Sequence, residues 1–235
     1  MIVNILLICI IIVIIYYNFE IFNFFGGEKK PIIKESFIIE DLYNGKSGFI
    51  KFDGNISELY FGETTYGEVT NDGINILSEH FNKNGPLNSY NVENKTFYDL
   101  GCGVGKIVVK MAYLNSNIKS IGYEIVPERV AVAKEVLQKV DPEVLKRITI
   151  KEQDLFDPSN KLNDACWIFI SNLCLKQDKM DEFCKKLDEE TPDGCVIICS
   201  KPMSFNEKSK FKKLEVVTIP MTWQENSECI IYKKN

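Results

Sequence analysis

From Thr96 onward the chain alternates short apolar runs with segments of helical spacing, and no other feature limits its fold as much. "TFYDLG" reads as a buried strand and "GKIVVKMAYL" as a helix. "SIGYEI" is a second strand, and "PERVAVAKEVLQKV" a second helix with Pro127 near its start, where a missing N–H is tolerated. "ITIKEQD" predicts a third strand, "ACWIFISN" a fourth, Asp178 to Leu187 a helix, and "CVIICSKP" a fifth strand. Strands separated by helices imply a mostly parallel sheet wound on both faces. "EVVTIPMTW" and "ECIIYKK" have no helix between them, so they are expected to close the sheet as a hairpin with an antiparallel strand. At 235 residues, 45% of them hydrophobic, the chain has material for one substantial core.

Upstream of the alternation, "TNDGINILSEHF" places Ile74, Leu77 and Phe81 at helical spacing. Residues 31–60 mix apolar runs with turn signals such as "YNGKSG" and predict small strands or irregular structure. The amino-terminal run, from Ile2 to Tyr17, has Asn4 as its only polar residue and is followed by Lys29, Lys30 and Lys34. It predicts an uncleaved transmembrane anchor over residues 1–25, with the following chain on the cytosolic side. Residues 26–60 are then a linker and small element, and 61–235 the α/β domain.

A formal net charge of -5 argues against a general nucleic-acid surface. The 8 cysteines form no C-x-x-C pair and His80 is the only histidine, so no metal site is expected. Cys166, Cys195 and Cys199 sit in strand-like runs, as buried thiols do, which points to a reducing compartment. The sequons at Asn55 and Asn94 then read as chance matches.

The glycine corner "DLGCGVGK" carries the chemistry. Ligands of a wound sheet bind beyond the carboxyl ends of its strands, and Gly101, Gly103 and Gly105 occupy that place after the first strand. Their spacing is neither the dinucleotide fingerprint nor a P-loop. Glu124 at the tip of the second strand suits the two hydroxyls of a ribose. Asp154, at the end of the third, suits an adenine edge, and Asp99, just before the glycines, suits a cationic amino group. Taken singly, each has a plain alternative: a turn, a solvated strand end, a helix cap. Together they fit a ligand with a ribose, an adenine and an ammonium but no pyrophosphate, and S-adenosylmethionine is such a ligand.

"DLGCGVGK" with "GYEIVPER" resembles the first two motifs of class I S-adenosylmethionine-dependent methyltransferases. The resemblance implies a Rossmann-like fold with a seven-stranded sheet. A narrower likeness is to the DOT (disruptor of telomeric silencing) family of histone lysine methyltransferases. "TYGEVTNDGINIL" resembles its Tyr-Gly-Glu segment, "IFISNLCL" its Asn-Asn-Phe-Ala-Phe segment, "VIICSKPM" its Ser-Lys-Pro-Phe stretch and "MTWQENSECIIY" its closing strand pair. The chain departs from that pattern at Val69, Lys106 and Ser171, and has Ile230 about where a channel tyrosine is expected.

The resemblance implies methyl transfer from S-adenosylmethionine to a lysine on a protein substrate. Cofactor-binding candidates are Tyr66, Glu68, Asp99, Gly101, Gly103, Gly105, Lys106, Glu124, Asp154, Leu155 and Asn172. Catalytic candidates are Asn172, to orient the amine, with Tyr66 and Trp223; Leu173, Leu175 and Trp223 are the expected channel walls. The alternatives are a methyltransferase acting on a small molecule or a nucleic acid, and a membrane-tethered binding module without turnover.

Overall fold

The computed structural model describes residues 38–50, 66–85 and 95–235. The chain divides into two compact units, Met1–Lys34 and Glu35–Asn235. The first, with the expected anchor, lies outside the described residues, as do both sequons. Among the described residues no helix is long and apolar enough to cross a membrane.

Residues 38–42 are helical, where small strands or irregular structure were expected. Ile39, Leu42 and Tyr43 supply a buried apolar face that local turn signals do not reveal. This segment belongs to the same compact unit as the α/β elements, Glu35–Asn235. Helix α1, Asn71–Asn84, is capped by Thr70, whose hydroxyl accepts from Gly73 N at 3.1 Å. Ile74, Leu77 and Phe81 are buried on one side of it, as their spacing predicts.

Strands and helices then alternate: β1 Lys95–Leu100, α2 Lys106–Leu114, β2 Ile118–Glu124, α3 Pro127–Leu137, α4 Pro142–Leu145, β3 Ile148–Glu152, β4 Ala165–Ile170, α5 Gln177–Glu190 and β5 Val196–Cys199. The chain ends in the hairpin β6 Phe211–Met221 and β7 Gln224–Lys234. The seven-stranded sheet runs β3-β2-β1-β4-β5-β7-β6. The first five strands are parallel; β7 is antiparallel to both β5 and β6.

Period-two alternation divides the core. Phe97 of β1 and Trp167 and Phe169 of β4 face α1 and α2, and Phe81 stacks on Trp167 at 5.4 Å. Tyr98, Leu100, Ile168 and Ile170 face the other way, onto Met180, Phe183 and Leu187 of α5. All seven described cysteines are free, and Cys195 and Cys199 are fully buried. The strand order reverses between β1 and β4, so the ligand crevice opens at their carboxyl ends.

Candidate active site

Two cavities meet at that crevice, and Gly101 and Ser171 line both. At Gly101 φ is +88°, and a Cβ there would meet nothing within 4 Å, so bare backbone faces open space at the junction. The corner is anchored from β2: Gly101 N and Cys102 N both donate to Tyr123 O, at 2.8 and 2.9 Å. Gly105 has a different role. A Cβ on it would lie 2.4 Å from Ile150 Cδ1, so it allows α2 to pack close to β3, and it lines neither cavity. The structure gives it a packing role and does not place it on a cavity wall. Helix α2 starts at Lys106 with Gly105 as its N-cap, within the stretch "GKIVVKMAYL" expected to be helical.

The larger cavity, of about 120 Å³, holds the ribose and adenine candidates Glu124, Asp154 and Leu155. Glu124 is 4% exposed. Its Oε1 accepts from Ile125 N and Val126 N, both at 2.9 Å, and its Oε2 from Gly103 N at 2.8 Å. A carboxylate has about four lone-pair directions, so Oε2 keeps one for a hydroxyl. Asp154 accepts from Phe156 N at 2.8 Å, which curls the loop after β3 into a turn beside Leu155.

The smaller cavity is lined by Tyr66, Glu68, Asp99, Gly103, Lys106 and Trp223, among others. Asp99 is 2% exposed and its Oδ2 has no hydrogen-bond partner. Burial, and then the charge of Glu124, pushes its carboxyl well above the usual carboxylate range. Tyr66 donates to Glu68 Oε1 at 2.9 Å, and Lys106 Nζ stands 3.7 Å from Glu68 Oε2. Burial, and then Glu68, raises the Tyr66 phenol far above its ordinary value, so it keeps its proton.

A short antiparallel contact holds this segment over the crevice. Val69 bridges Met221, Thr222 N donates to Glu68 O at 2.8 Å, and Glu68 N donates to Thr222 Oγ1 at 3.0 Å. Trp223, at the tip of the β6–β7 hairpin, is 45% exposed and packs against Gly67, where a Cβ would fall 2.1 Å from its ring.

Asn172 takes a place other than the expected one. It is fully buried and lines neither cavity. Its Nδ2 donates to Lys201 O at 2.9 Å, and its Oδ1 accepts from Lys201 N at 2.8 Å. The amide thus ties the ends of β4 and β5 together, and its neighbour Ser171 faces the crevice. Of the expected channel walls, Leu175 lines the larger cavity and Trp223 the smaller, whereas Leu173 is exposed and lines neither; Ile230 is buried in the core on β7. Sequence reading missed Ser171, Arg129 and Cys102 as cavity residues. Ser171 could have been found as the first residue past β4, Cys102 as the residue between two glycines of "DLGCGVGK", and Arg129 as the last residue of "GYEIVPER".

A family model for methyltransferase domains matches residues 91–230, more than half of the chain. The chain belongs to that family. Its domain is a class I, S-adenosylmethionine-dependent methyltransferase domain. No curated protein sequence matches it. Among solved structures, precorrin-6y C5,15-methyltransferase from Geobacter metallireducens GS-15 is 13% identical, with 74% of this chain and 93% of that one covered and a TM-score of 0.53. The glycopeptide N-methyltransferase MtfA, crystallised with S-adenosyl-L-methionine, is 10% identical over 68% of this chain and 86% of that one, with a TM-score of 0.51. StiE O-MT is 17% identical, with 53% of this chain covered and a TM-score of 0.43. The methyltransferase domain spans about half of the StiE O-MT chain, 47% of its length.

The residues fit the cofactor. The orphaned Asp99 Oδ2 suits its ammonium, the remaining direction on Glu124 Oε2 its ribose, and the open face of Gly101 the passage between the two cavities.

Proposed function

We propose that the protein methylates an amine nitrogen, specifically a lysine side chain on a protein, as its resemblance to the DOT-like enzymes suggests. S-adenosylmethionine supplies the electrophilic methyl group when bound. The observation that carries the reading is the state of the acids and bases around the smaller cavity. The only histidine of the chain, His80, stands 3.5 Å from Glu215 and lines neither cavity. Tyr66 keeps its proton, the Glu68 carboxylate is engaged by Tyr66 and Lys106, and Asp99 is assigned to the cofactor ammonium. A hydroxyl acceptor needs a base to take its proton, whereas a neutral amine brings its own lone pair. Desolvation, and a cation nearby, lower the pKa of a lysine and favour that neutral form. The indole of Trp223, half-exposed at the rim, gives an aliphatic stem an apolar wall. The chain's own contribution is alignment and exclusion of water.

The test is tandem mass spectrometry of lysate proteins incubated with cofactor and wild type, Trp223→Ala or Asn172→Ala. Wild type is expected to add methyl-lysine. Trp223→Ala should lower the yield about tenfold with little change in cofactor affinity. Asn172→Ala should lose stability first, by about 1–3 kcal/mol, because Lys201 N–H loses its acceptor. Methyl groups recovered only in small molecules or nucleic acid would refute the lysine assignment.

We also read residues 1–25 as a membrane anchor that leaves the domain facing the cytosol, supported by the apolar run and the lysines after it. Full-length protein is expected to stay in the membrane fraction after carbonate extraction, and its release there would overturn that reading.

A further inference from the structure

Residues 38–50 lie upstream of the family match, which begins at residue 91, yet they reach the glycine corner. Tyr43 is buried against Val104 and Val108, and its hydroxyl donates to Val104 O at 3.2 Å. After the turn at Gly45, the carbonyl of Gly48 accepts from Arg129 Nε at 3.1 Å. A Cβ on Gly48 would fall 2.0 Å from Tyr66 Cζ, and the three nearest atoms it would meet all belong to the Tyr66 side chain, the Cε1 edge included. From the Cε2 edge, a Cβ on Gly103 would come within 2.7 Å of the same phenol oxygen. The tip of Tyr66 is therefore inserted between two bare backbones, one from the upstream segment and one from the glycine corner.

Arg129 closes the remaining side. Its guanidinium carbon lies 4.4 Å from the centroid of the Tyr66 ring, and Phe49 meets that ring edge-on at 5.1 Å. Its Nη1 is 4.0 Å from Glu124 Oε2. A single side chain thus touches the upstream segment, the tyrosine over one cavity and the acid in the other.

We propose that residues 46–50 and Arg129 form a latch that positions Tyr66 over the cofactor, so that cofactor affinity depends on a segment outside the matched domain. Gly48 and Arg129 are positioning residues in this scheme. Gly48 leaves room for the phenol, and Arg129 holds the ring flat by a cation–π contact while fixing the Gly48 carbonyl. The proposal rests on the cofactor reading.

Calorimetric titration of the full chain with S-adenosylmethionine tests it. Binding by wild type is the check on the cofactor reading alone, and no binding would sink that reading and the latch with it. Given wild-type binding, Gly48→Ala is expected to raise Kd at least tenfold, because its methyl group must expel the Tyr66 ring. With Tyr66→Ala already in place, Gly48→Ala should change Kd less than twofold, since the obstructed ring is gone. A general packing defect would not show that dependence. Wild-type affinity in Gly48→Ala would overturn the latch, and so would an undiminished loss in the Tyr66→Ala background. If Gly48→Ala fails to fold, Phe49→Ala replaces it in the same cycle. It removes the edge contact on the Tyr66 ring and lines neither cavity, so the same two outcomes decide.

Discussion

Asp99→Asn is expected to stabilise the free protein and to weaken cofactor binding at the same time. The Asp99 carboxyl is raised by burial and by Glu124, and its Oδ2 has no partner. Below its unfolded value, about pH 4, the group is protonated in both states and its contribution to stability is fully present. As pH rises towards the raised folded value, the unfolded chain releases a proton that the folded one retains, and that stability is lost. Asparagine cannot ionise, so the Tm of the variant should exceed that of wild type at pH 7 and approach it near about pH 4. Binding should move the opposite way. A cofactor ammonium at Oδ2 favours the ionised carboxylate, so association should release a proton from wild type and none from the variant. Loss of a charged hydrogen bond, about 1.5–3 kcal/mol, corresponds to a roughly 10- to 150-fold weaker affinity. Thermal melts across pH, with titrations in buffers of different ionisation enthalpy, provide the check. Affinity within twofold of wild type, or equal proton release, would remove Asp99 from the ammonium site.

Glu124→Ala should damage both affinity and fold. Its carboxylate accepts from three backbone N–H groups, and the Gly103 bond ties the glycine corner to β2. Removing it leaves buried donors without acceptors, at about 1–3 kcal/mol for each that water does not reach. The corner then loses its shape before any ribose contact is counted, so affinity should fall well beyond tenfold and Tm should drop clearly. Glu124→Gln keeps one acceptor oxygen and should fall between wild type and alanine in both measurements. An alanine variant with unchanged Tm and only weaker binding would confine Glu124 to the ribose; unchanged binding would exclude it from the site.

The sheet, and the side of it on which chemistry occurs, follow from local sequence pattern. The near-continuous apolar runs through Phe97, Tyr98 and Leu100, and again through Trp167 to Ile170, are a local pattern, because burial on both faces of a central strand demands them. Glycines after β1 and an acid at the end of β2 are local in the same sense: each is required by the position its own backbone occupies. The spacing of Ile74, Leu77 and Phe81 marked α1 for the same reason.

Which of two adjacent residues faces the crevice depends on contacts between distant segments. Ser171 and Asn172 sit where β4 ends and the chain turns, and the pairing of Asn172 with Lys201, 29 residues away, points its amide inward. Gly105 looks like its two neighbours in sequence, but the proximity of Ile150 makes it a packing residue. The contact of Arg129 with Gly48 spans 81 residues, and Tyr66 is held over the crevice by a hairpin some 150 residues further on. Periodicity and spacing report what a segment needs from its own backbone. They carry no record of which distant segment arrives to meet it, and that meeting determines how the acids, the tyrosine and the tryptophan share one site.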